Sequence, residues 1–150
     1  MRRLEEVTIK GLEIVLEPPP NFDAIVKVFP HVADRRQPIF YCYGTKVYNP
    51  SGSKIPLELC AHEAVHAIQQ ADIGGPEEWW KRYLADKAFR FQQELEAHRV
   101  EYEQYCLIHN RHFRRSYIKT CANRLAGPLY GNMATTKEAR RLILEASNGS

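Results

Sequence analysis

The pattern of apolar and polar positions changes rhythm near residue 55. Before that point, β-branched and aromatic residues come in short, partly alternating runs: Val7-Thr8-Ile9-Lys10, Leu12-Glu13-Ile14-Val15-Leu16, Ile39-Phe40-Tyr41-Cys42-Tyr43 and Lys46-Val47-Tyr48. Such runs predict strands. The first two flank Gly11 as an opening strand or hairpin, and Pro18-Pro19-Pro20 stops them. The last two are joined by Gly44-Thr45, which predicts a tight turn. One helix interrupts the strands: Phe22, Ile25, Val26 and Phe29 fall at i, i+3, i+4 and i+7, with Asn21 placed to cap them and Pro30 to close them. Asn49-Pro50-Ser51-Gly52-Ser53 predicts a loop.

After residue 55 the apolar spacing becomes helical. One helix should run from Pro56 to about Ala71, ended by Gly74-Gly75. Pro76 opens a short helix carrying Trp79, Trp80 and Tyr83. Asp86 can cap a long helix from Lys87 to about His109, and another follows from Arg111 to Ala126, closed by Gly127-Pro128. Thr135 and Glu138 form a capping box for a last helix to about Ala146. No internal repeat appears, so solenoids drop out. Strands first and helices after predict a single α+β domain over 1–150, strand-rich in 1–50 and helical in 55–146.

Composition narrows the classes of function. The 150 residues include 21 Lys and Arg against 18 Asp and Glu, a net charge of +3. That balance is too even to imply a nucleic-acid partner. The longest apolar runs, such as Ile39–Tyr43, are far shorter than the roughly 20 residues that span a bilayer, so no membrane partner is expected. Cys42, Cys60, Cys106 and Cys121 are scattered, without a Cys-x-x-Cys pair. With no secretory signal in the first residues, they read as reduced, mostly buried thiols, and the expected location is cytoplasmic.

One segment carries chemistry. His62-Glu63-Ala64-Val65-His66 is a His-Glu-x-x-His pattern inside a predicted helix. Residues four apart sit one above the other on a helix face. Two imidazoles can then converge on one zinc ion per chain, at about 2.0–2.1 Å. Glu63, one step round the helix, can act as general base on a water whose pKa the ion lowers to about 7. Six His and 14 Glu in 150 residues would produce the pattern by accident in roughly 2% of such chains. The surroundings weigh against accident: Leu59, Cys60, Ala61, Ala64, Val65, Ala67 and Ile68 make the helix apolar nearly all round. Burying two histidines and a glutamate there is unfavourable unless something satisfies them.

A catalytic zinc site usually has three protein ligands and one open position. Asp72 lies six residues after His66, but Gln69 stands where a sharp helix break favours Gly. Glu94, Glu96 and His98 lie in the long helix. Glu94, Ala97 and His98 share one side of it, and small Ala97 would allow close approach to the His-Glu-x-x-His helix. Glu96 points roughly 200° away from Glu94.

Leu59–Ile68, with the strand before it, and Glu94-Leu95-Glu96-Ala97-His98 resemble the gluzincin metallopeptidases, especially small single-domain ones of the ImmA/IrrE type and phage-encoded peptidases. The resemblance covers roughly residues 39 to 105. It implies Glu94 as the third ligand. His98 stands at the family's Asp or Asn position, which implies a hydrogen bond that orients a zinc-binding His. It further implies a zincin-like fold, with a small twisted sheet whose edge strand runs beside the active-site helix. Thr45, Val47 and Tyr48 are the candidates for that edge, where an extended peptide could add by backbone hydrogen bonds.

Weaker signals remain. Tyr130, in a Gly-rich loop, can anchor the loop or point its hydroxyl at the site to steady an oxyanion. Arg111, Arg114, Arg115, Lys119 and Arg124 form a basic helix that could bind nucleic acid or an acidic partner, or pair with Glu94, Glu96, Glu101 and Glu103 on the helix before it. The expected activity is zinc-dependent hydrolysis of a peptide or protein substrate. The alternative is a zincin-like domain without hydrolysis, serving as a nucleic-acid or protein-binding module.

Overall fold

A computed structural model describes residues 12–149. The strand expected at Val7–Lys10 lies outside them. Three short strands, β1 (Glu13–Val15), β2 (Tyr41–Tyr43) and β3 (Lys46–Tyr48), precede most of the helices, which are α1 (Phe22–Val28), α2 (Leu57–Asp72), α3 (Pro76–Ala85), α4 (Lys87–Ile108), α5 (Arg111–Leu125) and α6 (Thr136–Gly149). The molecule is α+β and mainly helical, as the change of rhythm near residue 55 predicts.

The caps explain where the helices start. Asp86 accepts from the N–H groups of Ala88 and Phe89 at the head of α4, and Asn110 from His112 at the head of α5. The Thr135 hydroxyl accepts from the Glu138 N–H before α6. Each satisfies a donor that the first turn leaves without a partner. Asn21 sits at the N-cap of α1 but makes no capping bond there, and its buried amide has no hydrogen-bond partner. Pro30 does more than close α1: it opens a 3-10 turn over Pro30–Ala33.

The sheet corrects one expectation. Its strand order is β1-β3-β2, so β3 is the central strand. Val47 faces Ile14 of β1 in parallel and Cys42 of β2 in antiparallel register. The Thr45 carbonyl accepts from the Glu13 N–H at 3.1 Å. Thr45, Val47 and Tyr48 are therefore not an edge to which a peptide could add. The turn at Gly44-Thr45, with Gly44 at φ +68°, makes β2 and β3 neighbours. The outer side of β2 is then covered by helices: the Cys42 carbonyl accepts from Gln70 Nε2 at 2.8 Å and from Trp80 Nε1 at 2.9 Å. β1 joins the sheet on the remaining side of β3.

Two apolar clusters flank a narrow seam. Ile25, Val32, Tyr41, Trp79, Trp80 and Tyr83 form an aromatic cluster. Phe91, Leu95, Ile118, Cys121, Ala122, Leu125, Ala139 and Ile143 fill the space among α4, α5 and α6. Between these lies the α2–α4 crossing, where Ala64 and Ala97 are both fully buried. Small side chains let the two helix backbones approach closely, as Ala97 in the sequence suggests. Arg90 ties the parts together. Its guanidinium donates to the carbonyls of Tyr83, Leu84 and Leu129 and lies 4.8 Å from the centre of the Phe29 ring.

Candidate metal centre

Every residue from Ala61 to Ala67 of α2 is buried, so His62, Glu63 and His66 are held in the interior by the apolar residues around them. The second Gln-rich turn of α4 faces them across the seam. Glu94, 3% exposed, places one carboxylate oxygen 2.7 Å from His66 Nε2 and the other 3.4 Å from His62 Nε2. The two Nε2 atoms are 3.2 Å apart. Glu96, two residues along α4, is exposed. Asp72 is exposed at the end of α2. The structure thus brings together His62, His66 and Glu94, which is the ligand set the sequence favours.

The far nitrogens of both histidines fix their tautomers. His62 Nδ1 lies 2.7 Å from the Glu101 carboxylate, which only accepts while ionised, so Nδ1 donates. His66 Nδ1 lies 2.8 Å from Gln69 Oε1. Gln69 Nε2 donates to the Gln93 carbonyl, which leaves Oε1 as the acceptor, so this Nδ1 donates too. With neutral rings, both Nε2 atoms carry lone pairs, and they face each other and a carboxylate. Four electron-rich atoms around one point could hold a cation. The spacing suits a metal, since ligands at about 2.0–2.1 Å in a tetrahedron are about 3.3 Å apart. The residues present fit a metal ion.

Without a metal, protons must do this work. Burial pulls both imidazole pKa values down, but the Glu94 carboxylate, joined by Glu101 at His62, more than reverses that, leaving His62 well above its ordinary value and His66 above it. Burial pushes Glu94 up, and the two imidazoles outweigh it, holding Glu94 well below the usual carboxylate range. At Glu63 burial prevails instead. Burial pushes its carboxyl up to about 7 despite the attraction of His66 and His62, a value suited to a general base near neutral pH.

Sequence reasoning missed Glu101, Gln69 and Tyr83. Glu101 is fully buried. It also receives His98 Nδ1 at 3.1 Å, the Tyr117 hydroxyl and the Cys121 thiol. Of the acids proposed to pair with the basic helix, Glu101 does reach Arg124, at 3.9 Å, while Glu94 faces the histidines. Spacing could have revealed Glu101: it lies two turns from Glu94 and one from His98, on the same face of α4. Gln69 is likewise one turn beyond His66.

His98 takes a different place from the one expected. Glu101, not His98, bonds His62. His98 stacks edge-on against the His62 ring at 4.8 Å, with its own Nε2 buried, unpartnered and 4.0 Å from Glu94. The α4 register puts it beside the candidate ligands rather than behind one of them. Tyr130 and Tyr83 are buried beside the Glu94 carboxylate, and burial together with that negative charge holds both phenols well above their ordinary pKa. Both phenols therefore line the site next to Glu94. Arg90, bonded to the backbone beside each, holds them there.

A cavity of about 160 Å³ opens onto the site. His62, Glu63, His66 and Glu94 form its floor, and Ile25, Phe29, His31, Val32 and Ile39 line it from the N-terminal half. Trp79 completes the wall, its ring 5.1 Å from that of His66 and its Nε1 donating to Gln93 Oε1. Neither a scan against protein-family models nor searches of curated proteins and of solved structures gave a match.

Proposed function

We propose that this protein is a zinc-dependent peptidase of gluzincin type, with His62, His66 and Glu94 as metal ligands and Glu63 as general base. The observation that carries the reading is the pair of Nε2 lone pairs turned toward each other and toward the Glu94 carboxylate, with Glu63 in the same cavity. A zinc ion in that position would polarise a substrate carbonyl and acidify a water. Glu63 then takes the proton of the attacking water and passes it to the departing amine. Glu101 and Gln69 keep the two imidazoles turned with Nε2 inward, and Tyr83 and Tyr130 line the site next to Glu94. The apolar walls from α1 and α3 keep bulk water away from the reacting groups.

The edge of β2 is closed at Cys42 by Gln70 and Trp80, so this reading does not have the substrate extend the sheet there. The scissile bond enters instead between α2 and the segment containing Phe29–Val32. Glu63→Gln tests the reading. Glutamine keeps the size and a hydrogen bond to water but takes no proton, so cleavage of a mixed peptide library should fall about 10²–10⁴-fold with zinc content unchanged. Loss of zinc to the extent seen in His66→Ala would make Glu63 a ligand and overturn the mechanism.

A further inference from the structure

From Gln104 to Lys137 the chain carries Arg111, Arg114, Arg115, Lys119, Arg124 and Lys137 and no Asp or Glu, although acids nearly match bases overall. The α4–α5 hairpin tip lies in this stretch, roughly 20 Å along α4 from Glu94. Three large apolar side chains stand out from the tip: Leu107 is 76% exposed, Ile108 50% and Phe113 50%. Arg111, Arg115 and Lys119 are exposed at i, i+4 and i+8, a basic row on one face of α5 with about 6 Å between successive members. None of the three is in an ion pair among the described residues.

The tip is built firmly, so these side chains are presented rather than loosely frayed. Arg114 donates to the carbonyls of Cys106 and His109. The Tyr105 ring stacks on Tyr117 at 3.8 Å and on His109 at 4.0 Å. We propose that this tip docks on the surface of an anionic lipid bilayer. Leu107 and Ile108 enter the boundary between headgroups and acyl chains, and Arg111, Arg115 and Lys119 lie on the phosphates. The helices lie on the surface and do not cross it, since no helix among the described residues is long and apolar enough to do so. A nucleic acid would match the charge but not the aliphatic pair. Leu107 and Ile108 can neither stack on a base nor bond a phosphate, and only Phe113 offers a ring. The proposal does not depend on the peptidase reading.

Co-sedimentation of the full chain with vesicles tests it, using phosphatidylcholine alone and phosphatidylcholine mixed with phosphatidylglycerol. The protein should pellet with the mixed vesicles, release at high salt, and ignore the neutral ones. Each surface cation is worth about fivefold, so the double variant Arg111→Gln/Arg115→Gln should bind about 25-fold more weakly. Leu107→Ser/Ile108→Ser keeps every charge and should lose at least about tenfold. All four positions are exposed, and a circular dichroism spectrum matching wild type confirms the fold of each variant. No binding to anionic vesicles overturns the proposal. So does full binding by the Leu107→Ser/Ile108→Ser protein, which would make the surface a generic polyanion site. A labelled oligonucleotide retained where the vesicles are not would assign the surface to nucleic acid instead.

Discussion

Glu94 and Glu96 are two residues apart in one helix and meet opposite surroundings. Glu94 is buried against two imidazoles and two phenols, whereas Glu96 is in solvent. Chelator competition should therefore show zinc affinity reduced by orders of magnitude in Glu94→Ala and nearly unchanged in Glu96→Ala; the reverse ranking would put the helix in another register. Glu101→Gln keeps the shape but donates where a carboxylate accepts, so it should weaken zinc binding about 10–100-fold by loosening His62. Glu63 supplies a test that needs no substrate. Its carboxyl, near 4.5 in an unfolded chain, is raised to about 7 in the metal-free fold by burial. A carboxyl raised on folding destabilises the fold once pH exceeds its unfolded value, and fully above the folded one. In the metal-free protein, Glu63→Gln should thus stabilise the fold by up to about 3 kcal/mol at pH near 8 and have little effect near pH 4. An equal effect at both pH values in thermal melts would contradict a buried, proton-binding Glu63. His62, Glu63, His66 and Glu94 were legible in the sequence because helical spacing within two segments places them. His98 was misplaced by analogy, because a polar residue at a family position need not make the family's bond when Glu101, one turn on, is better placed.

At the level of elements, the decisive contact is the crossing of α2 over α4 at Ala64 and Ala97. A larger side chain there should both destabilise the fold and pull Glu94 from the histidines. Ala97→Leu is expected to cost about 1–3 kcal/mol in denaturant unfolding and to weaken zinc binding. Ala88→Leu, on the exposed side of the same helix, should change neither. If Ala97→Leu left both unchanged, the close approach would not be what forms the site. The helices themselves were legible because caps and periodicity are local: Asp86, Asn110 and Thr135 stand at starts that a reader of the sequence can mark. The sheet order was not. Pairing between β1 and β3 joins residues some 33 positions apart, and what excludes β1 from the outer side of β2 is Gln70 and Trp80, far along the chain. No local pattern carries that information. The 3-10 turn after Pro30 escaped for a similar reason, since Val32 is held by packing against α3 residues rather than by its neighbours in sequence.

For the whole molecule, the proposed zinc site would make folding and metal binding one process. Two imidazoles and a carboxylate from α2 and α4 meet only when the seam between those helices closes, so an ion that binds them stabilises the closed form. Free zinc at about a thousand times its dissociation constant should add about 4 kcal/mol, raising the melting temperature by roughly 10 °C for a chain of this size. A chelator should remove that gain in the wild type and have none to remove in His62→Ala. The most direct test of the central claim is anomalous scattering at the zinc edge from crystals of the zinc-loaded protein. The account predicts one strong peak per chain within bonding distance of His62 Nε2, His66 Nε2 and a Glu94 carboxylate oxygen. No peak there, or a peak held by other residues, would contradict it.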